Sequence, residues 1–362
     1  MRSTMTTAQR EAKLDALHEQ LTQAVAGLVS GEDWVGAMTF AAQFRSRSFN
    51  NTLLIYAQHY AAHAEGRVPE PTPTYVAGFR QWRSLGRHVA KGQRGYSILA
   101  PVTGRFASFY PSDPTSWRRL GRNEKPMFGE YTQTRMVGVR PAHVWDVSQT
   151  DGDPIPEAPR PALLQGQAPE GLWDGLADQI TASGYELRLV SDASKIGGAN
   201  GLTDFLVREV SVRMDMDDAA QAKTLAHELG HVLLHAPGEK EPSAATAADA
   251  TVHRGIAEVE AESVALMVGA AHGLDTSSYT IPYVSTWASS VAGKTPVEVV
   301  QSTAERVRAT AIGILDRLDT AKVGDGNPPG LHREALASNG HHRAITNLPT
   351  RSSDRDANAV GL

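Results

Sequence analysis

The sequence predicts an α+β protein of two domains joined by a proline-rich linker. Three observations lead there. Residues 40–145 hold 15 Lys+Arg against 5 Asp+Glu, a balance of +10, whereas the whole chain carries −5, so the remainder carries −15. Such a split suggests parts with different partners. Residues 151–170, DGDPIPEAPRPALLQGQAPE, contain five prolines and little apolar periodicity, a linker composition. Each side of that segment mixes helical and strand-like runs. At 362 residues the chain is long enough to bury more than one core. The expected division is 1–150 with a helical extension at 1–33, a linker at 151–170, a second domain at 171–321, and a disordered tail at 322–362.

The elements follow in order. Leu14, Leu17, Leu21 and Val25 recur at helical spacing within residues 7–28. A second helical stretch runs from Trp34 to His63, and the prolines of VPEPTPT end it. A short helix then leads to the strand GYSILAPV, a hairpin with a long basic loop, and a closing strand HVWDVSQT. In the second domain YELRLV and REVSVRMDM read as strands, the latter placing Val210, Val212, Met214 and Met216 on one face. Asp217 caps the next helix, and another runs from about Arg254 to Gly273. Thr295, Pro296 and Glu298 form the capping-box start of the last, which ends near Thr320.

The chain has no cysteine, which excludes disulfides and thiolate metal ligands and fits a reducing compartment. Residues 1–20 lack an apolar signal-peptide core, and no run reaches the ~18 apolar residues of a membrane span. The expectation is a soluble cytoplasmic protein with no membrane partner.

The helix KTLAHELGHVLLH, residues 223–235, carries His-Glu-x-x-His. Residues four apart on a helix lie about 40° apart around its axis, so His227 and His231 point the same way and can share one zinc ion. Glu228 lies about 100° from His227 and can reach a water on that ion. Ala222, Leu225, Leu229 and Val232 form the opposite, apolar stripe. A hydrolytic zinc takes three protein ligands and keeps one open position. The next helix, HRGIAEVEAESVALM, offers Glu258 as the third ligand, with Glu262 the alternative; with Glu258 ligating, Glu262, one turn on, is the acceptor for a ligating histidine's second N–H. Small residues Ala261, Ala265 and Gly269 would let the two helices approach, as would Gly230. His235 suits the rim, and His253 and Tyr283 are candidates to stabilise an oxyanion. One Zn2+ per chain would allow hydrolysis of peptide bonds in an unidentified protein substrate, with Glu228 as general base. The strand REVSVRM offers an edge that could align an extended peptide.

In the basic half, cations alternate with aromatics. Arg80, Trp82, Arg83, Arg87, Lys91, Arg94, Tyr96, Arg118 and Arg119 are the candidate contacts to single-stranded DNA, the cations tracking phosphates and the rings stacking on unpaired bases.

SFNNTLLIYAQ, VAGFRQWRSLGRHVAKGQRGYSILAP and VWDVSQTDGDPIP resemble the N-terminal domain of ArdC-type antirestriction proteins. TLAHELGHVLLH followed by EVEAESVALMV resembles the zinc-peptidase domain of the same proteins and of ImmA/IrrE metallopeptidases. The resemblance implies an α+β single-stranded-DNA-binding domain followed by a gluzincin-like zinc metallopeptidase domain, and protection of incoming DNA from restriction. Two other functions compete: a non-catalytic single-strand-binding protein with a structural zinc, and an ImmA/IrrE-type regulatory protease that cleaves a repressor.

Overall fold

A computed structural model of the chain describes residues 6–28, 30–155, 166–236, 247–275, 279, 281, 287–289, 291, 293–329, 331 and 343–344. It is an α+β protein whose contacts form two compact units, Met1–Ile98 with Pro141–Leu331, and Leu99–Arg140 with His332–Leu362. The division falls inside two long strands. The proline-rich segment anticipated as the boundary lies partly outside the described residues, at 156–165.

In the first unit, α1 (Thr7–Ala26) and α2 (Gly31–Gln43) each begin with a capping box, Thr6 with Gln9 and Ser30 with Asp33. The long helical stretch anticipated at 34–63 is two helices. It breaks after Phe44, and α3 (Phe49–Ala64) restarts where the Ser48 side chain accepts the Asn51 N–H. β1 (Val76–Ala77) pairs antiparallel with the end of β5 (Tyr131–Asp146). α4 (Phe79–Ser84) leads into β2 (Arg87–Val89), which pairs with β6 (Thr150–Gly152). Phe40, Phe44, Ile55, Val76, Ile98 and Val144 form the core of this part. β3 (Tyr96–Ser108) begins here and continues into the second unit, where β4 (Arg118–Arg119) pairs with it.

Further along the first unit, α5 (Leu172–Ala182) precedes a sheet of order β7-β9-β8. β7 (Glu186–Val190) is parallel to β9 (Glu209–Arg213), and β8 (Gly201–Asp204) is antiparallel to it. Both edges of β9 are therefore taken, so the REVSVRM strand cannot align a peptide as its sequence suggested. Val210 and Val212 are buried, but the strand ends at Arg213 and Met214 is 51% exposed, so the expected apolar stripe stops there.

α6 (Asp218–His235) starts at Asp217, whose side chain accepts the Ala220 N–H. α7 (Ala247–Ala271) packs along it, and α8 (Pro296–Asp316) begins with the Thr295–Glu298 capping box and stops a turn earlier than expected. The α6–α7 approach is close: a Cβ on Gly230 would lie 3.1 Å from Ala261 Cα and 3.4 Å from Val264 Cβ. Gly269 is used differently, with Tyr279 filling the space beside it.

α7 also receives α2. Trp34 is fully buried, its Nε1 donates to Ser263 Oγ at 2.8 Å, and its ring meets Trp287 edge-on at 5.1 Å. Residues 323–326, anticipated as the start of a disordered tail, are held by backbone contacts. Val323 N donates to Ala271 O, Arg45 donates to the carbonyls of Val323 and Gly324, and Val76 N donates to Gly326 O. Most of the remaining tail lies outside the described residues. No helix among the described residues is long and apolar enough to cross a membrane.

Replacing a helix-interior glycine by alanine ordinarily stabilises by about 1 kcal/mol. Gly230→Ala is expected to show no such gain in thermal unfolding, because the added carbon presses on Ala261. Gly230→Leu is expected to lose about 1–3 kcal/mol through overpacking.

Candidate metal centre

The apolar face of α6 anchors the site: Ala222, Leu225, Leu229 and Val232 are all buried. With that face fixed, His227 and His231 project into a cleft of about 800 Å³, also lined by Asn200, Gly201, Thr203, Phe205 and Glu258. The two Nε2 atoms face each other at 3.1 Å. Glu258 reaches in from α7, with Oε2 3.5 Å from His227 Nε2 and Oε1 3.5 Å from His231 Nε2. Four-coordinate zinc with ligands at about 2.0–2.1 Å places neighbouring donors about 3.3 Å apart. The observed distances bracket that value, with each Glu258 oxygen facing one imidazole, and one donor atom from each residue lies within 4.8 Å of the others, so the donor set fits a divalent metal. These three residues form the candidate metal-binding group among the described residues.

The neighbours orient the ligands. Glu262 Oε2 lies 3.2 Å from His227 Nδ1, and its other oxygen meets Lys223 Nζ at 3.0 Å. A proton on Nδ1 donated to Glu262 leaves the Nε2 lone pair directed at the triangle's centre. Lys223 also sits 3.9 Å above the Tyr279 ring. Burial opposes charging His227, but hydrogen bonds to Glu258 and Glu262 outweigh it and push its pKa up to about 9. Hydrogen bonds from His227 and His231 hold the Glu258 carboxyl well below the usual carboxylate range. Its side chain remains 66% exposed, on the open side of the cleft.

Glu228 has a different environment. It is 5% exposed, and burial pushes its carboxyl up. Thr203 Oγ1 donates to Oε2 at 2.6 Å. The backbone of Gly201 passes against the other oxygen, where a Cβ would come within 2.5 Å of Oε1. Both residues belong to β8, which sequence reasoning missed, as it missed Lys223. The alternation of Gly201, Leu202, Thr203 and Asp204 is too short and too glycine-rich to signal a strand.

His235 stands outside the triangle, with Nε2 3.6 Å from Glu260 Oε2, and burial and the His231 charge push its pKa down to about 4. Glu260 is buried and paired with Arg306. His253 lies on α7, but its side chain is outside the described residues, as is all of Tyr283.

The DNA-contact candidates divide. Trp82 is fully buried and donates to Trp145 O. Tyr96 is buried too: His59 Nε2 must donate to Glu70 O, so Nδ1 accepts the Tyr96 hydroxyl at 2.9 Å. Arg87 is engaged by Thr150, Gly152 and Asp153, and Arg118 by Glu124 and Glu130. These four serve the fold and are unavailable to a nucleic acid in this arrangement. Arg80, Arg83, Lys91, Arg94 and Arg119 are exposed.

Fold and site together define an α+β protein with a candidate His-His-Glu metal-binding group. Residues 8–137 match the family model for the N-terminal domain of the anti-restriction factor ArdC. An uncharacterised Bacillus anthracis protein, pXO2-81, is 23% identical over 327 residues, which cover 86% of this chain and 52% of that protein. The chain thus spans about half the length of that curated relative. The metal-free crystal structure of the antirestriction protein ArdC from plasmid R388 aligns at 18% identity and a TM-score of 0.41, covering 74% of this chain and 84% of that one. Its Mn(II)-bound structure aligns at 17% identity and a TM-score of 0.39, covering 75% and 88%.

The His227 pKa sets a pH dependence. Because the folded value of about 9 exceeds the ordinary 6.5, the metal-free chain gains stability from this group below pH 6.5 and loses it as pH rises through 9. Calorimetry in a chelator is expected to show Tm falling across that window. With Zn2+ added the trend reverses, since metal binding requires the proton to leave. A flat chelator profile would contradict the pairing.

Proposed function

We propose that the chain is an ArdC-like antirestriction protein that binds single-stranded DNA and hydrolyses peptide bonds at a zinc centre formed by His227, His231 and Glu258. The triangle of donors beside a buried glutamate carries the hydrolytic part. Zinc, when bound, would supply Lewis acidity, polarising a carbonyl and acidifying water. Glu228 takes the proton of the attacking water and returns it to the leaving amine. Its raised pKa suits a group that must both accept and release a proton. Thr203, by holding Oε2, fixes the orientation of that carboxylate. β8 lines the cleft and pairs with β9 on one side, so its other edge can align an extended peptide beside Glu228. This role passes to β8 from the enclosed β9.

The match of residues 8–137 to the ArdC N-terminal domain supports the antirestriction and DNA-binding part, together with the excess of Lys and Arg in 40–145.

Glu228→Gln is expected to lower hydrolysis of an unstructured protein such as casein by about 10²–10⁴-fold while zinc stays near one per chain by atomic emission. Unchanged hydrolysis would remove Glu228 from the chemistry. Binding to oligo(dT) is expected to weaken steeply with salt. Replacing Arg80, Arg83, Lys91 and Arg94 by Gln should reduce the log–log slope by up to about 3 if all four meet phosphates; an unchanged slope would exclude them.

A further inference from the structure

The burial of Trp82 and Tyr96 leaves the single-strand reading without its stacking rings. The second unit supplies others. Residues 109–130, which join β3 to β5, form an ordered connector. Arg118 forks onto the buried Glu130 at 2.9 and 2.8 Å and also engages Glu124. Met127 N donates to Glu130 and Gly121 N to Glu124. The Ser116 hydroxyl contacts the Tyr110 and Asp113 carbonyls at 2.7 Å. This network engages two of the three carboxylates in 99–140; the third, Asp113, accepts from Thr115.

The connector nevertheless presents large apolar groups to water. Phe128 is 83% and Tyr110 70% exposed, and Phe109 and Met127 are about half exposed. A Cβ on Gly129 would lie 3.8 Å from the Phe109 ring, which places Phe109 beside the Phe128 segment. Arg119, Arg122 and Lys125 are exposed on the same connector, and Arg105 and Arg140 on the strands that carry it. Arg135 already shows the stacking chemistry, its guanidinium 4.7 Å from the Trp117 ring and 5.4 Å from Phe106.

We infer that this connector is the base-stacking surface for single-stranded DNA, with Tyr110 and Phe128 stacking on unpaired bases and Arg119, Arg122 and Lys125 meeting the phosphates. The inference rests on the single-strand reading above and assigns it a place. Flat rings among cations suit a strand with exposed bases. Exposed cations on both strands as well as on the connector complement an extended polyanion.

The test uses the full chain and fluorescence anisotropy with labelled dT30. Tyr110→Ala with Phe128→Ala is expected to raise Kd at least about tenfold, since each base–aromatic stack contributes about 1–3 kcal/mol. Arg122→Gln with Lys125→Gln should reduce the salt slope by about 1.4. If the wild type binds dT30 and the aromatic variant, folded by its Tm, binds equally well, the connector is excluded while the single-strand reading stands. If the wild type does not bind dT30, both fall. If the aromatic variant loses binding to anionic phospholipid vesicles but keeps dT30, the surface belongs to a membrane and the inference fails. Ultraviolet crosslinking of dT30 to the wild type, mapped by mass spectrometry, should fall within 105–128 whatever the variants' stability; crosslinks confined elsewhere overturn the assignment.

Discussion

The approach of α7 to α6 at Gly230 and Ala261 is the constraint on which the metal centre depends. His227 and His231 need only one helix to be aligned, but the third donor comes from another. Glu258 reaches them because the helices nearly touch one turn away, where a glycine faces an alanine. The same contact brings Glu262 to the far nitrogen of His227. A larger residue at position 230 would separate the carboxylate from the imidazoles, leaving two histidines and no complete donor set.

Charge is concentrated around this contact. Glu228, Glu258 and Glu262 all lie near the two imidazoles, with Lys223 the nearby amine. Placing carboxylates together is unfavourable unless a cation shares the site. In the metal-free arrangement a proton on His227 supplies that charge, which is why its pKa rises despite burial. A divalent ion held by His227, His231 and Glu258 would supply two positive charges in place of that proton. Glu228 is held in place beneath β8, where Thr203 donates to its Oε2.

The parts of the site carried on helices were legible in the sequence. A period of 3.6 divides KTLAHELGHVLLH into a buried face and a metal face, and the same period puts Glu258 and Glu262 on one side of α7 with Glu260 turned away to Arg306. The contribution of β8 was not legible, because four residues containing a glycine carry no usable alternation. Nor could spacing distinguish stacking rings from core rings: Trp82 and Phe79 occupy one short helix, yet Trp82 is buried and Phe79 is half exposed. The charge balance of residues 40–145 concealed a similar division, since Arg87 is bound to β6 and Arg118 to the carboxylates of its own connector. Long-range contacts leave no local trace at all. Trp34 finds Ser263 across 229 positions, and nothing near either residue announces it.

That tryptophan bears on how such a protein can be inherited. The stretch matching the ArdC N-terminal domain begins at residue 8, and its second helix is packed against the back of the helix that supplies Glu258. The metal-bearing portion is therefore not a cassette that can be exchanged intact. A recombination breakpoint in the proline-rich segment would cut one core in two, and the incoming half would need its own residue to fill the space of Trp34. Lineages that keep the two halves together are expected to change them in concert.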